Sequence, residues 1–358
     1  MTWTIGNKIK ISIFGESHGP AIGGLVEGLP SGIKIDIEKL LQFMARRAPG
    51  RNKLASTRIE EDLPIFYSGL VDGITTGTPI GFTINNNDRR SKDYTDLHNT
   101  PRPSHADLVA RIRFGNMIDM RGGGNFSGRL TAPICVIGGI ILQVLEHKGI
   151  SIGAHIYKID DILDISYNLM ELSFDDIDIS KKNDFPTIDS NVAKLMSDYI
   201  ANMKLQMDSI GAIIECGVLG LKPGYGNPMF DGLESSISKN IFSIPGVKGI
   251  EFGRGFDVAN MKGSDHNDSL YYDKNGKISY CSNNAGGIIG GISTGMPLVF
   301  RLAVKPTPSI AREQKTINLE SKENVTISIK GRHDPCIGIR IVPVVEAMTA
   351  ISIADYLF

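Results

Sequence analysis

The stretch "APICVIGGIILQVL" at positions 132–145 carries no charged side chain. Residues 131–148 read as one helix closed by Gly149, and a helix that is apolar all round has to be covered all round. The run is too short to cross a bilayer. It therefore demands a protein core built around it, and the remaining elements have to supply that cover.

Those elements are of both kinds. Residues 9–13 alternate apolar and polar and read as a strand, as do 150–159, 210–220, 297–305 and 325–330. Asp36 stands where it caps a helix with Ile37, Leu40, Leu41 and Met44 at i, i+3, i+4, i+7, running into Arg46-Arg47 and stopping at Ala48-Pro49-Gly50. "SHAD" at 104–107 has the capping-box form ahead of Leu108, Val109 and Ile112. Val192, Leu195, Met196, Tyr199 and Met203 mark an amphipathic helix, and 342–357 a last one. The acidic, irregular stretch 160–189 reads as surface decoration. Strands and helices mix without a regular βαβ rhythm, which favours α+β over a doubly wound sheet. With no Pro/Ser-rich linker and no repeat, 1–358 reads as one compact domain.

A hydrophobic fraction of 41% and 22% charged residues fit a globular chain that needs no disulfide or metal staple. The formal net charge of −1 points to neither a nucleic-acid nor a membrane partner. Cys135, Cys216, Cys281 and Cys336 are scattered, with no metal-like spacing, and read as reduced core thiols of a cytoplasmic protein. The first residues do not form a signal peptide.

The neutral total hides a local excess. Arg46, Arg47, Arg51, Lys53 and Arg58 follow one another without an acid, and seven arginines and one lysine stand against four aspartates from Arg89 to Arg129. Several flank glycine or proline. Guanidinium forks on rigid turns suit phosphate and carboxylate recognition; a solvated basic face explains the same pattern. "GGGNFSGR" lacks the Gly-Lys-Ser/Thr of a P-loop, and "GGIIGGISTG" is not the dinucleotide fingerprint, so each on its own reads as a turn. Among the histidines, His147 and His155 lie in core-like segments, and no HxxxH or HxH pair suggests a metal. His18 and His105 each follow a serine at the mouth of an element and are candidates for proton transfer, although an ordinary surface histidine accounts for either. Asp334 of "GRHDPC" is a turn residue before Pro335 or a carboxylate held beside arginines.

Three motifs in order, "GESHGPAIGGLVEGLP", "GNFSGRLTAPICVIGG" and "GRHDPCIGIRIVPVVEAM", resemble the chorismate synthase family. "RRAPGR", "SGLVDGITTGTPIGFTINNND", "RPSHAD", "GVKGIEFGRGF", "NNAGGIIGGISTG" and "KPTPS" agree between them, so the resemblance covers essentially the whole chain. It implies a β-α-β sandwich, usually a homotetramer, and the last step of the shikimate pathway toward aromatic amino acids. In that step phosphate is lost from 5-enolpyruvylshikimate 3-phosphate by 1,4-elimination, without net redox change but with reduced FMN (FMNH2).

By motif, the resemblance makes His18 the acid toward the reduced flavin, His105 the histidine near the substrate phosphate and Asp334 the group that works with the flavin to remove the substrate proton. Ser17 and Ser127 assist proton relay. Arg47, Lys53, Arg129 and Arg332 are candidates to grip the substrate. The flavin is expected against Asn125, Phe126, Ser127, Pro245, Gly246, Gly290, Lys305, Pro306, Thr307, Pro308, Ser309 and Arg332. In this picture the glycines around His18 leave its ring exposed to a flat flavin. The chain departs from the family pattern in four places: Asn125 and Phe126 replace arginine and serine, Lys53 stands where arginine is common, and Pro308 where serine is common. These touch binding more than chemistry. Some members reduce flavin with NAD(P)H themselves; this chain is expected to use an external flavin reductase. The rival enzyme reading is a flavin oxidoreductase for an anionic substrate. The non-enzymatic rival is an anion-binding scaffold, in which two loop histidines and Asp334 would be superfluous.

Overall fold

A computed structural model of the chain describes residues 3–50, 61–87, 99–115, 117–329 and 333–358. Strands β1 (Thr4–Ile5), β2 (Lys10–Gly15) and β3 (Ala21–Glu27) lead into helix α1 (Ile37–Arg47). After β4 (Pro64–Phe66), a small hairpin of β5 (Leu70–Val71) and β6 (Ile74–Thr75) precedes β7 (Ile80–Asn85). Helices α2 (Asp107–Phe114) and α3 (Thr131–Glu146) follow, then β8 (Ser151–Ile159), β9 (Ile162–Leu163), α4 (Phe174–Lys182), α5 (Ser190–Leu205) and β10 (Ala212–Leu219). The last third holds α6 (Leu233–Ile241), β11 (Val247–Phe252), α7 (Gly263–His266) and two hairpins, β12 (Leu270–Tyr272) with β13 (Ile278–Tyr280) and β14 (Ile288–Ile289) with β15 (Ile292–Ser293). It ends with β16 (Leu298–Val304), a hairpin of β17 (Gln314–Asn318) and β18 (Glu323–Ile327), and α8 (Gly338–Leu357).

Among the described residues, two five-stranded antiparallel sheets form, ordered β1-β2-β3-β7-β4 and β11-β16-β10-β8-β9. Helix α3 packs on β2 and β3 of the first sheet and β8 of the second, and against α1 and α8. The expected α+β, β-α-β layering is thus present. The apolar run of α3 is buried on every side because it carries glycine at its closest approaches. A Cβ on Gly138 would lie 2.2 Å from Cβ of Ala347 in α8, and one on Gly139 would meet Leu40 and Phe43 of α1. With the preceding turn the helical stretch reaches Gly128–Glu146, 19 residues and by length and composition enough for a membrane, but it is packed inside the core. Asp36 caps α1 by accepting from the Lys39 amide, as its sequence predicts. At the other end of that helix Arg46 donates twice to the buried Glu346 of α8 (2.5 and 2.8 Å), whose carboxylate also accepts from the Ala154 amide of β8.

Four readings need correction. The 160–189 stretch is more than decoration: Tyr167, Leu172 and Ile177 build a small second core with Val299. The register pairs Glu215 with His155 and Gly217 with Gly153, so two glycines leave this face bare. A Cβ on Gly153 would strike Ile177, and one on Gly217 would strike Leu172. His155 is indeed structural, clamped between Asp164 (2.9 Å) and Glu215 (3.0 Å). His147, by contrast, is exposed just past the end of α3, and Cys281 is exposed while the other three thiols are buried. The "SHAD" capping box does not form: the cap position of α2 is Ala106, without a side-chain bond, because Asp107 has other partners.

Candidate active site

A cleft of about 780 Å³ opens where the loops before α2, before α3, after α6, after β16 and before α8 meet. Its lining carries Arg47, Arg102, Arg129, Arg340, Lys248 and Lys305, and among the described residues Asp334 is its one carboxylate. Even with Asp62 and Asp107 bonded behind Arg47, Arg129 and Arg102, the six cations outnumber the carboxylates they meet, and the remaining positive potential concentrates anionic ligands. Of the local basic excess seen in the sequence, Arg47, Arg102 and Arg129 reach this pocket, whereas Arg46 pairs with Glu346 and Arg113 and Arg121 are exposed; Lys248, Lys305 and Arg340 come from other parts of the chain.

Asp107 organises the α2 end. Its carboxylate accepts from Arg102 Nε and Nη2 (both 2.7 Å), from the Arg102 amide (3.0 Å) and from His105 Nδ1 (2.6 Å). Burial opposes its ionisation, but the bonds from Arg102 and His105 outweigh burial and hold the carboxyl well below the usual range. A proton on Nδ1 answers the carboxylate, and His105 Nε2 faces Gly123 at the cleft. Arg102 also donates to the buried Ser309 (3.2 Å), and Lys305 Nζ donates to the Ser104 carbonyl (2.5 Å). These two bonds join the 305–309 wall to the histidine loop. Arg340 donates to Asp334 (2.6 Å) and to the Arg47 carbonyl (2.9 Å), and Thr307 of the 305–309 wall donates to the Asp334 carbonyl.

Arg47 and Arg129 share one partner. Arg47 Nη1 donates to Asp62 Oδ2 (2.5 Å), Nε to Thr131 and Nη2 to the Gly128 carbonyl. Arg129 Nη1 donates to the other oxygen of Asp62, Nε to Asn86 and Nη2 to the Asn85 carbonyl. Burial works against the Asp62 charge, yet the two guanidiniums prevail and lower its pKa. Both arginines line the cleft, but with their forks largely engaged by protein.

His18 is where the structure differs most from expectation. It is 5% exposed and Ser17 is fully buried; neither lines the cleft. The turn 122–124 lies between them and the cavity. Gly122 has φ +60°, and a Cβ on it would fall 2.1 Å from His18 Cε1 and 2.9 Å from Ser17 Oγ. The ring is thus shielded, not exposed, because a residue without a side chain lets the turn close over it. That turn is thin: Gly122 borders His18 on one side, and Gly123 borders His105 and Ser127 on the other.

Asn125, Phe126, Ser127, Pro245, Gly246, Lys305, Thr307, Pro308 and Ser309 all line the cleft. Pro306 and Gly290 do not; Gly290 is exposed in the β14–β15 turn. Lys53 and Arg332 lie outside the described residues. Sequence reading gave no role to Arg102, Arg340, Asp62, Lys248 or His333, and gave Asp107 only that of a helix cap. Arg102 and Arg340 were visible inside the "RPSHAD" and "GIRIV" motifs, whereas Asp62 had no local signal. Beside the cleft, Trp3, Phe114, Met117 and Ile118 meet Asn125 and Phe126 in a second, apolar slot of about 370 Å³. Among the described residues no group of three or more His, Cys, Asp and Glu side chains is arranged for a metal ion.

Comparison with known proteins gives one consistent answer. The family model described as chorismate synthase matches residues 9–358. A chorismate synthase of Korarchaeum cryptofilum is 42% identical over 352 residues, covering 98% of this chain and 96% of its own. That of Lancefieldella parvula is 41% identical, with 100% and 97% covered, and that of Methanocaldococcus jannaschii 42%, with 98% and 95%. A solved crystal structure of a chorismate synthase shares the fold with a TM-score of 0.78 at 25% identity, covering 99% of this chain and 92% of the other.

Proposed function

The chain belongs to the chorismate synthase family of carbon–oxygen lyases acting on phosphates, and from that membership we propose how its cleft makes chorismate from 5-enolpyruvylshikimate 3-phosphate. The observation that carries the reading is the joint placement of His105, Asp334 and six cations on one cavity. The substrate bears a phosphate and two carboxylates, and fixed guanidinium and ammonium groups both hold such an anion and stabilise the departing phosphate. Asp334, oriented by Arg340, is the carboxyl group placed to accept the ring proton. His105, oriented by Asp107, stands beside Arg102 to meet the phosphate. Ser127 lines the same cleft beside Gly123 of the 122–124 turn. His18 keeps the role of acid, with Ser17 beside it; because the turn separates them from the cleft, that role requires the turn to move. Arg47 and Arg129 form the inner basic wall.

The residues present fit reduced FMN. Apolar lining from Phe126, Ile337, Ile341 and Val344 suits a flat ring, and Lys305, Thr307 and Ser309 suit its polar tail. Gly246, at φ +96° and with a hypothetical Cβ only 3.0 Å from Ile337, lets the backbone come close. When bound, reduced FMN supplies the electron-rich partner that makes the elimination possible. Pro308 and the Asn125-Phe126 pair shift the expected grip from charge toward ring packing.

The match over residues 9–358 supports one catalytic domain along the chain. A homotetramer is part of the proposal, supported by exposed apolar side chains such as Phe230, Phe256 and Tyr272. So are a cytoplasmic setting, in keeping with four unpaired cysteines, and reduction by an external flavin reductase. The test is anaerobic: enzyme, FMN, dithionite and substrate, with phosphate release followed. Many phosphates per reduced flavin are expected. One phosphate per flavin oxidised would overturn the lyase reading in favour of an oxidoreductase. Replacing dithionite by NADPH, with no other reductase present, is expected to give no turnover.

A further inference from the structure

His333 precedes Asp334 and lines the cleft, yet no part of the reading above uses it. Its Nε2 is buried and has no hydrogen-bond partner among the described residues. Buried polar atoms are nearly always paired, so an orphan inside a ligand cavity points to a partner that arrives with the ligand. Among the described residues, the charged and titratable groups around the ring are Arg102, His105 and Asp334. Burial, then Arg102 and His105, pull its pKa down to about 4 against the opposing effect of Asp334. The ring is neutral at neutral pH, with one N–H to donate.

We propose that His333 is a substrate-binding residue that donates a hydrogen bond from Nε2 to an anionic oxygen of a phosphate monoester, at the end of the cleft where Arg102 and His105 stand. This inference rests on the cleft being the phosphoester site. A neutral donor suits the position, because it completes the shell around the anion without adding a further positive charge beside Arg102 and His105. It also divides the work: His105, in contact with a carboxylate, handles protons, while His333 orients.

Binding of inorganic phosphate to the full chain without turnover tests this, by calorimetric titration at pH 6 and pH 8. His333→Phe keeps a ring and removes both nitrogens, and about tenfold weaker binding is expected, the equivalent of about 1.4 kcal/mol. His333→Gln restores an N–H and is expected within about threefold of wild type. The wild-type to His333→Phe ratio is expected to be equal at the two pH values. Unchanged binding in His333→Phe overturns the inference. So does a ratio that collapses between pH 6 and 8, since His333 would then act as a cation. So does a loss in His333→Gln as large as in His333→Phe, which marks packing. If His333→Phe fails to fold, His333→Leu serves in its place. Absence of phosphate binding by the wild-type chain would strike the reading of the cleft itself, and is thereby distinguished from failure of His333 alone.

Discussion

Asp62→Asn removes one charge and almost no volume from beneath two arginines of the cleft. In the wild type, Arg47 and Arg129 are each nearly inaccessible and each donates to one oxygen of this carboxylate. Without it two buried guanidiniums face each other uncompensated. Removing one member of a buried ion pair costs about 3–5 kcal/mol. The entropy of unfolding of a 358-residue chain converts that to a fall in Tm of about 4–7 °C. The pKa of Asp62 is lower in the folded state, so its stabilisation is complete above the ordinary carboxylate range near 3.8 and fades as pH falls below it toward the folded value. The variant therefore lacks that part of the acid sensitivity of the wild type. Scanning calorimetry from pH 3 to pH 8, with and without inorganic phosphate, measures both effects. Phosphate is expected to stabilise the variant more than the wild type, because an added anion replaces the missing charge. A variant within about 1 kcal/mol of wild type at pH 7, equally acid-sensitive and no more responsive to phosphate, would refute the reasoning.

Other changes follow from the same geometry. Gly122→Ala places a methyl group against the His18 ring at φ +60°; a loss of more than about 1 kcal/mol in stability and a fall in turnover are expected, and unchanged turnover would show that the turn does not gate His18. His18→Ala is expected to lower turnover about 100-fold or more, measured under anaerobic conditions with excess reduced FMN; near-normal turnover removes its role. His155 is held by Asp164 and Glu215, and although burial lowers its pKa, those hydrogen bonds raise it overall. Its contribution is full below the unfolded value near 6.5 and is lost as pH rises through the folded value, so His155→Gln should narrow the stability gap to wild type at alkaline pH, read by denaturant titration. Raising ionic strength should weaken substrate binding through screening of the cleft charges; salt-independent affinity would argue against contact by Arg102, Lys248 and Lys305.

What could be read ahead of the structure followed the range of the forces involved. The cap at Asp36 and the burial of α3 depend on residues a few positions apart, and both were legible. His105 and Asp334 became candidates through several motifs in register, since each alone allows a bland reading, and both line the cleft. Asp107 misled because a carboxylate three residues after a serine satisfies a local rule, while the arginine it grips lies five positions upstream in a turn that no periodicity marks. The pairing of Arg47 and Arg129 through Asp62 joins three separated segments and leaves no pattern. His18 was read as exposed because its own glycines were considered; the glycine that decides the matter is Gly122, a hundred residues on.

The cleft takes a wall from every quarter of the chain: Arg47 from the first, His105 and Ser127 from the second, Gly246 from the third, Lys305 from the fourth, and Asp334 from the approach to the final helix. Everything up to the final helix must therefore be synthesised before the cleft can be complete. A polypeptide truncated ahead of that helix would lack Arg340 and the Val344 side of the cavity, and would lose activity outright instead of by degrees.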